Sequence, residues 1–472
     1  MTAPVSLGLV GLGAMGRNLG WRLAELGIPL AVHSYDHGET HRFLEALDAP
    51  VPAATDPVDL VQRLTPPRTI LLMVTAGDAV DRVIEDLLPA LRPGDLVIDG
   101  GNSHFRDTIR RGERLRELGI GYAGAGISGG ETGARHGASI MVGADAGDYA
   151  RARPVFDALA ARVGSSVCAA HVGTDGAGHF VKMVHNGIEY ALMQLIAEAW
   201  RAMQDVLGWD RQRQQDAFAR LARGAAASYL MDITSEILCV PDPESGGYLL
   251  DRVSDRAAQK GTGRWTVEAA LELGVAVPVI AAALSERMVS ADPRRGTGAP
   301  AARAQPAGTT GGIGDDATVA LQMLEDALHA GFLASFAQGF ALLQAASTAY
   351  DWQLDLAEIA RIWQGGCIIR AELLRDVEAA FRGDPALESL LQTGVFQSRL
   401  AAADPNWRAF VARNLSAGVT APCASAALAW YDSLCAGRLP TNLIQAQRDY
   451  FGAHGFERTD RAGRFHDAWK RP

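Results

Sequence analysis

The chain has 472 residues, more than one hydrophobic core usually holds, so two or three domains are expected. Its net charge is −10 and no segment is rich in Lys and Arg, which argues against a nucleic-acid partner. No apolar run approaches the roughly 18 residues of a membrane-spanning helix, and the N-terminus lacks the pattern of a signal peptide, so no membrane partner is expected.

The first predicted elements are a strand at 5–10, a glycine-rich turn at 11–16, a helix at 17–26 and a second strand at 30–36. This order is the context in which a GxGxxG sequence binds a dinucleotide. Gly11 permits the tight turn, Gly13 lets the backbone approach the pyrophosphate, and Gly16 lets the helix pack closely on the strand. The helix N-terminus then faces the phosphates.

The end of the second strand indicates which coenzyme is preferred. An acidic residue at this point favours a free ribose 2′-hydroxyl, whereas an arginine accommodates a 2′-phosphate. The sequence has Ser34, Tyr35 and Asp36, with no arginine before Arg42. These residues do not obviously favour a 2′-phosphate.

Three later apolar segments each end in a loop with small or polar residues. The segment at 69–74 precedes Thr75 and Ala76, the segment at 96–98 precedes a loop containing Asn102, and the third ends at 128–130 (Ser-Gly-Gly). In an open parallel sheet, ligands bind outside the carboxyl ends of the strands. These loops are therefore predicted to contact a ligand, although glycine pairs also form ordinary tight turns.

From about residue 178 to about residue 435, segments with helical periodicity replace the strand pattern. We predict a domain at 1–177 of α/β Rossmann type for dinucleotide binding, a large all-α domain at 178–435, and a short C-terminal tail at 436–472. Residues 292–314 are rich in Pro, Gly and Ala and are predicted to form a loop.

The first helix of the all-α domain carries five polar residues at i, i+3, i+4, i+7 and i+8, which places them on one face. They are Lys182, His185, Asn186, Glu189 and Tyr190. A separate apolar stripe, from Val181 to Leu195, would seat the helix in a core. A solvated face with intrahelical ion pairs is the alternative. His, Asn and Tyr on the same face make a functional site the better interpretation.

Three other features contain possible anion ligands. The segment at 260–266 (KGTGRWT) does not match the full P-loop pattern, yet the backbone beside Lys260 and Thr262 would be able to hold an anion. Arg287 alone is typical of a surface arginine. Arg448 and His454 lie in a tail segment with aromatic residues.

The five cysteines are scattered and form no CxxC pair, which is typical of reduced thiols in a cytoplasmic protein and predicts neither disulfides nor a zinc site.

Seven segments together resemble 6-phosphogluconate dehydrogenase, the decarboxylating enzyme of the pentose phosphate pathway, which also serves gluconate utilization. They occur in the order of that family and cover nearly the whole chain: GLGAMGRNL from Gly11, DGGNS at 99–103, SGGETGAR at 128–135, GHFVKMVHNGIEY at 178–190, KGTGRWT at 260–266, GGCIIR at 365–370 and NLIQAQRDYFGAH at 442–454.

The resemblance implies a homodimer in which the tail of each subunit reaches the partner, with NADP or NAD as cofactor and no metal. It implies that Lys182 is the general base and later the acid, that Glu189 is the general acid, and that His185 and Asn186 belong to the catalytic group. The implied ligands of 6-phosphogluconate are Asn102, Ser128, Gly129, Gly130, His185, Asn186, Tyr190, Lys260, Thr262, Arg287, Arg448 and His454. The predicted cofactor ligands are Gly11, Gly13, Ala14, Met15, Gly16, Ser34, Tyr35, Asp36, Val74, Thr75, Ala76 and Asn102.

This sequence departs from the family at the coenzyme's 2′ end. Members that use NADP typically have Asn-Arg-Thr where Ser34, Tyr35 and Asp36 stand, and Thr75 replaces a common Lys or Gln. We therefore predict weakened selectivity for NADP, with NAD accepted or preferred, because a cation is lost and a carboxylate would repel the phosphate. Two alternatives are a β-hydroxyacid dehydrogenase with an unphosphorylated substrate and a non-catalytic dinucleotide-binding regulator. The retained polar helix face argues against the latter.

Overall fold

A computed structural model describes residues 5–259, 261–295 and 316–469. Lys260 and residues 296–314 of the predicted loop lie outside the described residues.

The first part of the chain alternates strands and helices, as predicted. Its elements are β1 (Leu7–Val10), α1 (Ala14–Glu25), β2 (Leu30–His33), α2 (His37–Glu45), α3 (Pro57–Arg63), β3 (Thr69–Leu72), α4 (Asp78–Leu87), β4 (Leu96–Asp99), α5 (Phe105–Glu117), β5 (Gly121–Ser128), α6 (Gly130–His136), β6 (Ser139–Ala144), α7 (Ala146–Leu159), β7 (Arg162–Val163), β8 (Ser166–Val167) and β9 (Ala169–Gly173). Seven strands form one sheet in the order β2-β1-β3-β4-β5-β6-β9. The strands from β1 to β4 are buried along their whole length because apolar clusters cover both faces of the sheet. The α/β Rossmann-type prediction is confirmed.

Three details differ from the sequence-based expectation. The β5–β6 pair is antiparallel, because the short α6 connection returns the chain at the same end of the sheet and pairs Ser128 with Ser139, and β9 then runs parallel to β6. Helix α1 begins at Ala14, so Gly16 lies inside its first turn. Strand β2 ends at His33 because Asp36 accepts backbone hydrogen bonds as the N-cap of α2.

The second part is helical, also as predicted. Its helices are α8 (Ala177–Asp205), α9 (Arg211–Leu221), α10 (Tyr229–Cys239), α11 (Thr262–Glu272), α12 (Pro278–Ala291), α13 (Ala317–Ala349), α14 (Leu356–Ile362), α15 (Leu373–Gly383), α16 (Gly394–Ser416) and α17 (Pro422–Cys435), with short 3-10 helices at Leu249–Arg252 and Leu390–Gln392. The long helices α8 and α13 pack closely because α13 presents glycine to α8. A Cβ on Gly339 would lie 2.4 Å from Ile188 Cδ1, and one on Gly331 would lie 2.8 Å from Leu195 Cδ2.

The C-terminal segment contains α18 (Thr441–Gly452) and a hairpin of β10 (Phe456–Glu457) and β11 (Arg464–Phe465). Asp449 stabilises this unit, since its buried carboxylate accepts from Gly455 N and from the indole of Trp469. Several large apolar side chains of α18 remain exposed, among them Leu443, Ile444 and Phe451. Among the described helices, none is both long and apolar enough to cross a membrane.

Candidate active site

A buried hydrogen-bonded cluster lies on α8 at the positions that the helical spacing predicted. Lys182 Nζ donates to Oδ1 of Asn186 at 2.7 Å and lies 3.4 Å from Nδ1 of His185. Lys182 is only 5% exposed and His185 is fully buried. The amine, the imidazole and the amide thus form one group that little water reaches.

Burial determines the electrostatics of this cluster. Desolvation lowers the pKa of Lys182, although the nearby Glu189 carboxylate opposes this change. Burial and the Lys182 ammonium together hold the pKa of His185 well below its usual value. Burial thus favours the uncharged form of each group, and the uncharged amine is the form in which a lysine acts as a base.

Distant parts of the chain complete the cluster. Ser128, at the end of β5, places its Oγ 3.0 Å from Nε2 of His185. Asn186 Nδ2 donates to Oγ1 of Thr262 at 3.1 Å, at the start of α11. Glycine allows this approach on the sheet side, because a Cβ on Gly126 of β5 would lie 2.4 Å from Cβ of Lys182.

Glu189 and Tyr190 continue the same face of α8 by one further turn. Burial raises the pKa of Glu189, against the opposing effect of Lys182 and Arg287. The guanidinium of Arg287 lies over the ring of Tyr190, with Cζ 3.7 Å from the centroid. A carboxyl group with a raised pKa therefore lies within electrostatic reach of both the Lys182 amine and the Arg287 guanidinium.

The segment at 261–266 is a helix start rather than a loop. Gly261 has φ +96 and precedes α11, whose first turn has no side-chain cap and no acidic residue. Its N–H groups are therefore available to an anion. Gly263 packs against the ring of Tyr190, which brings this helix end next to Arg287.

The glycine-rich turn has room for a dinucleotide. A Cβ on Gly16 would lie 2.0 Å from the carbonyl oxygen of Gly11, so the turn can close only with glycine at that position. A Cβ on Gly13, by contrast, would meet no atom within 4 Å, so the space beside it is open. Helix α1 begins there without a side-chain cap or an acidic residue in its first turn. These features fit a pyrophosphate bound at the helix N-terminus.

The remaining predicted coenzyme ligands line the same edge of the sheet. Tyr35, Asp36 and Thr75 are exposed, Ser34 is buried, and Val74 and Ala76 are half-buried at the end of β3. Ala14 and Met15 form the first turn of α1. Asn102 is exposed beyond β4, between the strand end that carries Thr75 and the one that carries Ser128.

A buried network that supports these loops was not predicted from the sequence. Asp99 is fully buried and accepts from Ser103 Oγ at 2.6 Å and from Gly101 N at 3.1 Å, which fixes the loop that holds Asn102. Arg111 lies 3.6 Å from Asp99 and donates to the carbonyl of Gly77 at 3.0 Å. No local sequence pattern indicates this pairing.

Glu39 was also not predicted from the sequence, although an acidic residue three positions after the N-cap Asp36 is a capping-box signal.

Among the described residues, two predicted phosphate ligands, Arg448 and His454, are not joined to the site. Lys260 lies outside the described residues. Arg448 contacts Gln445, and His454 packs edge-on against Phe451. Over the described ranges, no hydrogen bond or ion pair joins either tail residue to Lys182 or Arg287. Within the same ranges, no group of three His, Cys, Asp or Glu side chains is placed to hold a metal ion.

Two family models match the chain. Residues 6–173 match the NAD binding domain of 6-phosphogluconate dehydrogenase, and residues 178–469 match the C-terminal domain of the same enzyme.

Individual relatives match over nearly the full length. The chain is 43% identical to an NAD(+)-dependent decarboxylating 6-phosphogluconate dehydrogenase of Bacillus subtilis, over 98% of this chain and 99% of the relative. It is 41% identical to an NADP(+)-dependent decarboxylating enzyme of the same organism, over 98% of both. The fold matches the Plasmodium falciparum 6-phosphogluconate dehydrogenase, solved alone, with NADP+ and with 6-phosphogluconate, at a TM-score of 0.92 and 35% identity, over 98% of this chain and 100% of the other.

Proposed function

The chain belongs to the 6-phosphogluconate dehydrogenase family, and from this we propose that it oxidises and decarboxylates 6-phospho-D-gluconate to D-ribulose 5-phosphate and CO2 with NAD or NADP. The observation that carries the proposal is the buried cluster of Lys182, His185 and Asn186 with Glu189 one turn beyond. Base and acid lie on one helix, at the edge where the glycine-rich turn fits a dinucleotide.

In the first half of the reaction, neutral Lys182 accepts the proton of the substrate's C3 hydroxyl. Its lowered pKa favours the unprotonated amine that this step needs. Asn186 orients the amine through the 2.7 Å hydrogen bond. The chemistry that bound NAD(P) supplies is acceptance of the hydride from C3.

In the second half, the Lys182 ammonium donates to the new C3 carbonyl oxygen, which stabilises the negative charge that develops as CO2 leaves. Glu189, whose raised pKa favours its protonated form, then donates a proton to the carbon that becomes C1 of ribulose 5-phosphate. Lys182 takes back the enediol proton and the ketone forms. Ser128, Gly129, Gly130, His185 and Asn102 would hold the hydroxyl groups and the carboxylate of the sugar acid.

The phosphate of the substrate would bind at the far end of the same helix face. Tyr190, Thr262 and Arg287 meet there at the uncapped N-terminus of α11. Lys260, directly before this helix, would add a cation. Arg448 and His454 would come from a second copy of the chain.

This last assignment makes the protein a homodimer with exchanged tails. Support comes from the exposed apolar face of α18, which includes Phe451 at 73% exposure and needs a covering surface. The domain limits at 1–177, 178–435 and 436–472 follow the same proposal, with the tail as the exchanged unit.

We also propose a cytoplasmic location, since the five cysteines are unpaired.

The test mixes the purified protein with 6-phosphogluconate and either NAD or NADP and follows the absorbance of the reduced nicotinamide together with CO2 release. We expect equal amounts of both products. Absence of reduction with either coenzyme would contradict the proposal. Gluconate without the phosphate should be a poor substrate, and turning over both substrates equally well would favour the β-hydroxyacid dehydrogenase alternative.

A further inference from the structure

The turn between β2 and α2 carries a set of acidic contacts that bear on the choice of coenzyme; this inference rests on the proposed function. In the proposed complex, the adenosine ribose lies at this strand end. Three carboxylates, of Asp36, Glu39 and Asp86, surround the turn, and each already has hydrogen-bond or ionic partners.

Asp36 occupies the position that an added phosphate would need. Its Oδ1 accepts from the backbone N–H of Gly38 at 2.8 Å and of Glu39 at 3.3 Å, at the start of α2. These amides are the natural anion site of a helix N-terminus. A 2′-phosphate would have to displace the carboxylate or lie beside it, whereas a 2′-hydroxyl can donate to its second oxygen.

Glu39 binds two arginines that flank the turn. Its Oε2 lies 3.2 Å from Nη1 of Arg17, and its Oε1 lies 2.9 Å from Nη2 of Arg42. The pair with Arg17 is less screened than a typical surface ion pair, because 23% of each side chain is exposed, whereas Arg42 is 56% exposed. The two guanidinium groups therefore already share one carboxylate, with which an incoming phosphate has to compete.

The side chain of Tyr35 is held at the edge of this turn by a third carboxylate, that of Asp86. Its hydroxyl donates to Oδ2 of Asp86 at 2.5 Å, and its ring packs edge-on against His33 with centroids 5.0 Å apart. The ring is 54% exposed and offers a flat surface for a base. Asp86 adds a negative charge on that side, while Arg82 of α4 lies near enough to lower the pKa of Tyr35 against the larger effects of burial and Asp86.

We propose that this turn selects a coenzyme with a free 2′-hydroxyl, NAD, and that Glu39 is a specificity-determining residue because it competes with a 2′-phosphate for Arg17 and Arg42. A 2′-phosphate brings about two negative charges towards Asp36 and Asp86, and it meets Arg17 and Arg42 already paired with Glu39. NAD brings no charge to this end. Selection therefore acts against NADP, through repulsion by Asp36 and Asp86 and competition from Glu39.

The first test compares kcat/KM for the two coenzymes with 6-phosphogluconate. We expect NAD to be favoured by at least about tenfold, or 1.4 kcal/mol. Calorimetry with adenosine 2′,5′-bisphosphate and with 5′-AMP gives a readout independent of turnover, and the bisphosphate should bind no better than 5′-AMP. Reduction of both coenzymes with NADP equal or preferred would overturn the inference and leave the proposed function standing. No reduction with either would instead contradict the proposed function.

The second test removes the competing carboxylate of Glu39. Glu39→Gln should lower the NAD-to-NADP ratio by about tenfold, mainly through the KM for NADP, and should tighten the binding of adenosine 2′,5′-bisphosphate. Glu45→Gln is the matched control, because Glu45 is on the same helix in an exposed pair with His41. Equal ratios in the two variants would overturn the role of Glu39.

Two further variants keep the inference testable if Glu39→Gln folds poorly. Asp36→Thr retains a helix-capping oxygen and removes the charge, so it should also lower the NAD-to-NADP ratio. Adding Arg17→Met and Arg42→Met to Glu39→Gln should reverse the gain in NADP use. A gain that persists without both arginines would show that they do not meet the phosphate.

Discussion

Nζ of Lys182 lies 2.7 Å from Oδ1 of Asn186, one turn further along the same helix. The amide oxygen fixes the amine in position but brings no charge, so it orients the base without raising its pKa as a carboxylate would. Asn186 is itself held by Thr262 of α11. The base is therefore fixed by two helices that sequence separates by more than seventy positions.

The first prediction concerns the base itself. Lys182→Arg keeps a positive charge on a long side chain, yet a guanidinium does not lose its proton in proteins. We expect kcat to fall by about 10²- to 10⁴-fold, the usual contribution of general acid–base catalysis. Binding of the coenzyme, measured by calorimetry, should be unchanged. Activity within tenfold of the parent would show that Lys182 is not the base.

The second prediction concerns the pH dependence of kcat/KM. Oxidation needs neutral Lys182, and the later proton transfer needs protonated Glu189. Burial lowers the pKa of Lys182 and raises that of Glu189, so the two titrations move towards each other and the enzyme with both groups in the required state becomes more populated. Activity should fall in acid as Lys182 is protonated and fall in alkali as Glu189 ionises. Because the two groups interact electrostatically, the apparent pKa values of the acid and alkaline limbs of the pH profile belong to the pair and not to either residue alone.

Glu189→Gln tests the assignment of the alkaline limb. Glutamine cannot donate the proton, so kcat should fall and the alkaline limb should move or vanish, while the acid limb persists. A profile that keeps both limbs would assign the alkaline one to another group. Glu131→Gln is a suitable control, since Glu131 is an exposed carboxylate near Ser128 that has no assigned proton to transfer.

Periodicity and local motifs made the helix face and the glycine-rich turn predictable. Lys182, Asn186 and Glu189 lie within eight positions, so helical geometry alone places them together. Their burial was not predictable, since it depends on β5 and α11. The contact between Asp99 and Arg111 could not be predicted either, because no periodicity in the sequence relates the two residues.

The third prediction concerns that network. Arg111 is 2% exposed and donates to Asp81 at 2.7 Å and to the carbonyl of Gly77. Arg111→Met would leave the fully buried Asp99 without a cation, so we expect about 3–5 kcal/mol of destabilisation in denaturant unfolding. The KM for coenzyme should also rise, because the Gly77 loop loses its anchor. Arg110→Met is the matched control: Arg110 pairs with Asp81 from an exposed position and should cost about 0–1 kcal/mol. Equal costs would contradict the role given to Arg111.

The fourth prediction concerns stability against pH. Glu198 of α8 is 2% exposed and accepts from the backbone of Cys423 and Ala424 at the start of α17, and burial raises its pKa from 4.5 to about 7. Between pH 4.5 and about 7, Glu198 is therefore protonated in the folded protein but ionised in the unfolded chain. The resulting stabilisation, about 3 kcal/mol, is fully present below pH 4.5 and is lost as pH rises through 7.

The measurement compares the free energy of unfolding of the parent with that of Glu198→Gln from pH 4.5 to 7.5. Because glutamine does not titrate, the difference between the two proteins should change steadily across this range, with the parent losing stability relative to the variant. Glu117→Gln, at an exposed position on α5, should give a constant difference. A constant difference for Glu198→Gln would show that its carboxyl group has an ordinary pKa in the folded state.

The last prediction tests tail exchange between subunits. Lys182→Ala inactivates the site on its own chain, whereas Arg448→Ala in an exchanged tail weakens the site of the partner. When the two variants are unfolded, mixed in equal amounts and refolded, about half of the dimers contain one copy of each. In such a dimer, one site combines an intact Lys182 with an intact Arg448. Activity should therefore recover to about a quarter of that of the unaltered protein, although each variant alone is nearly inactive. If each tail served its own chain, no site in the mixture would have both residues, and activity would stay at the mean of the two variants.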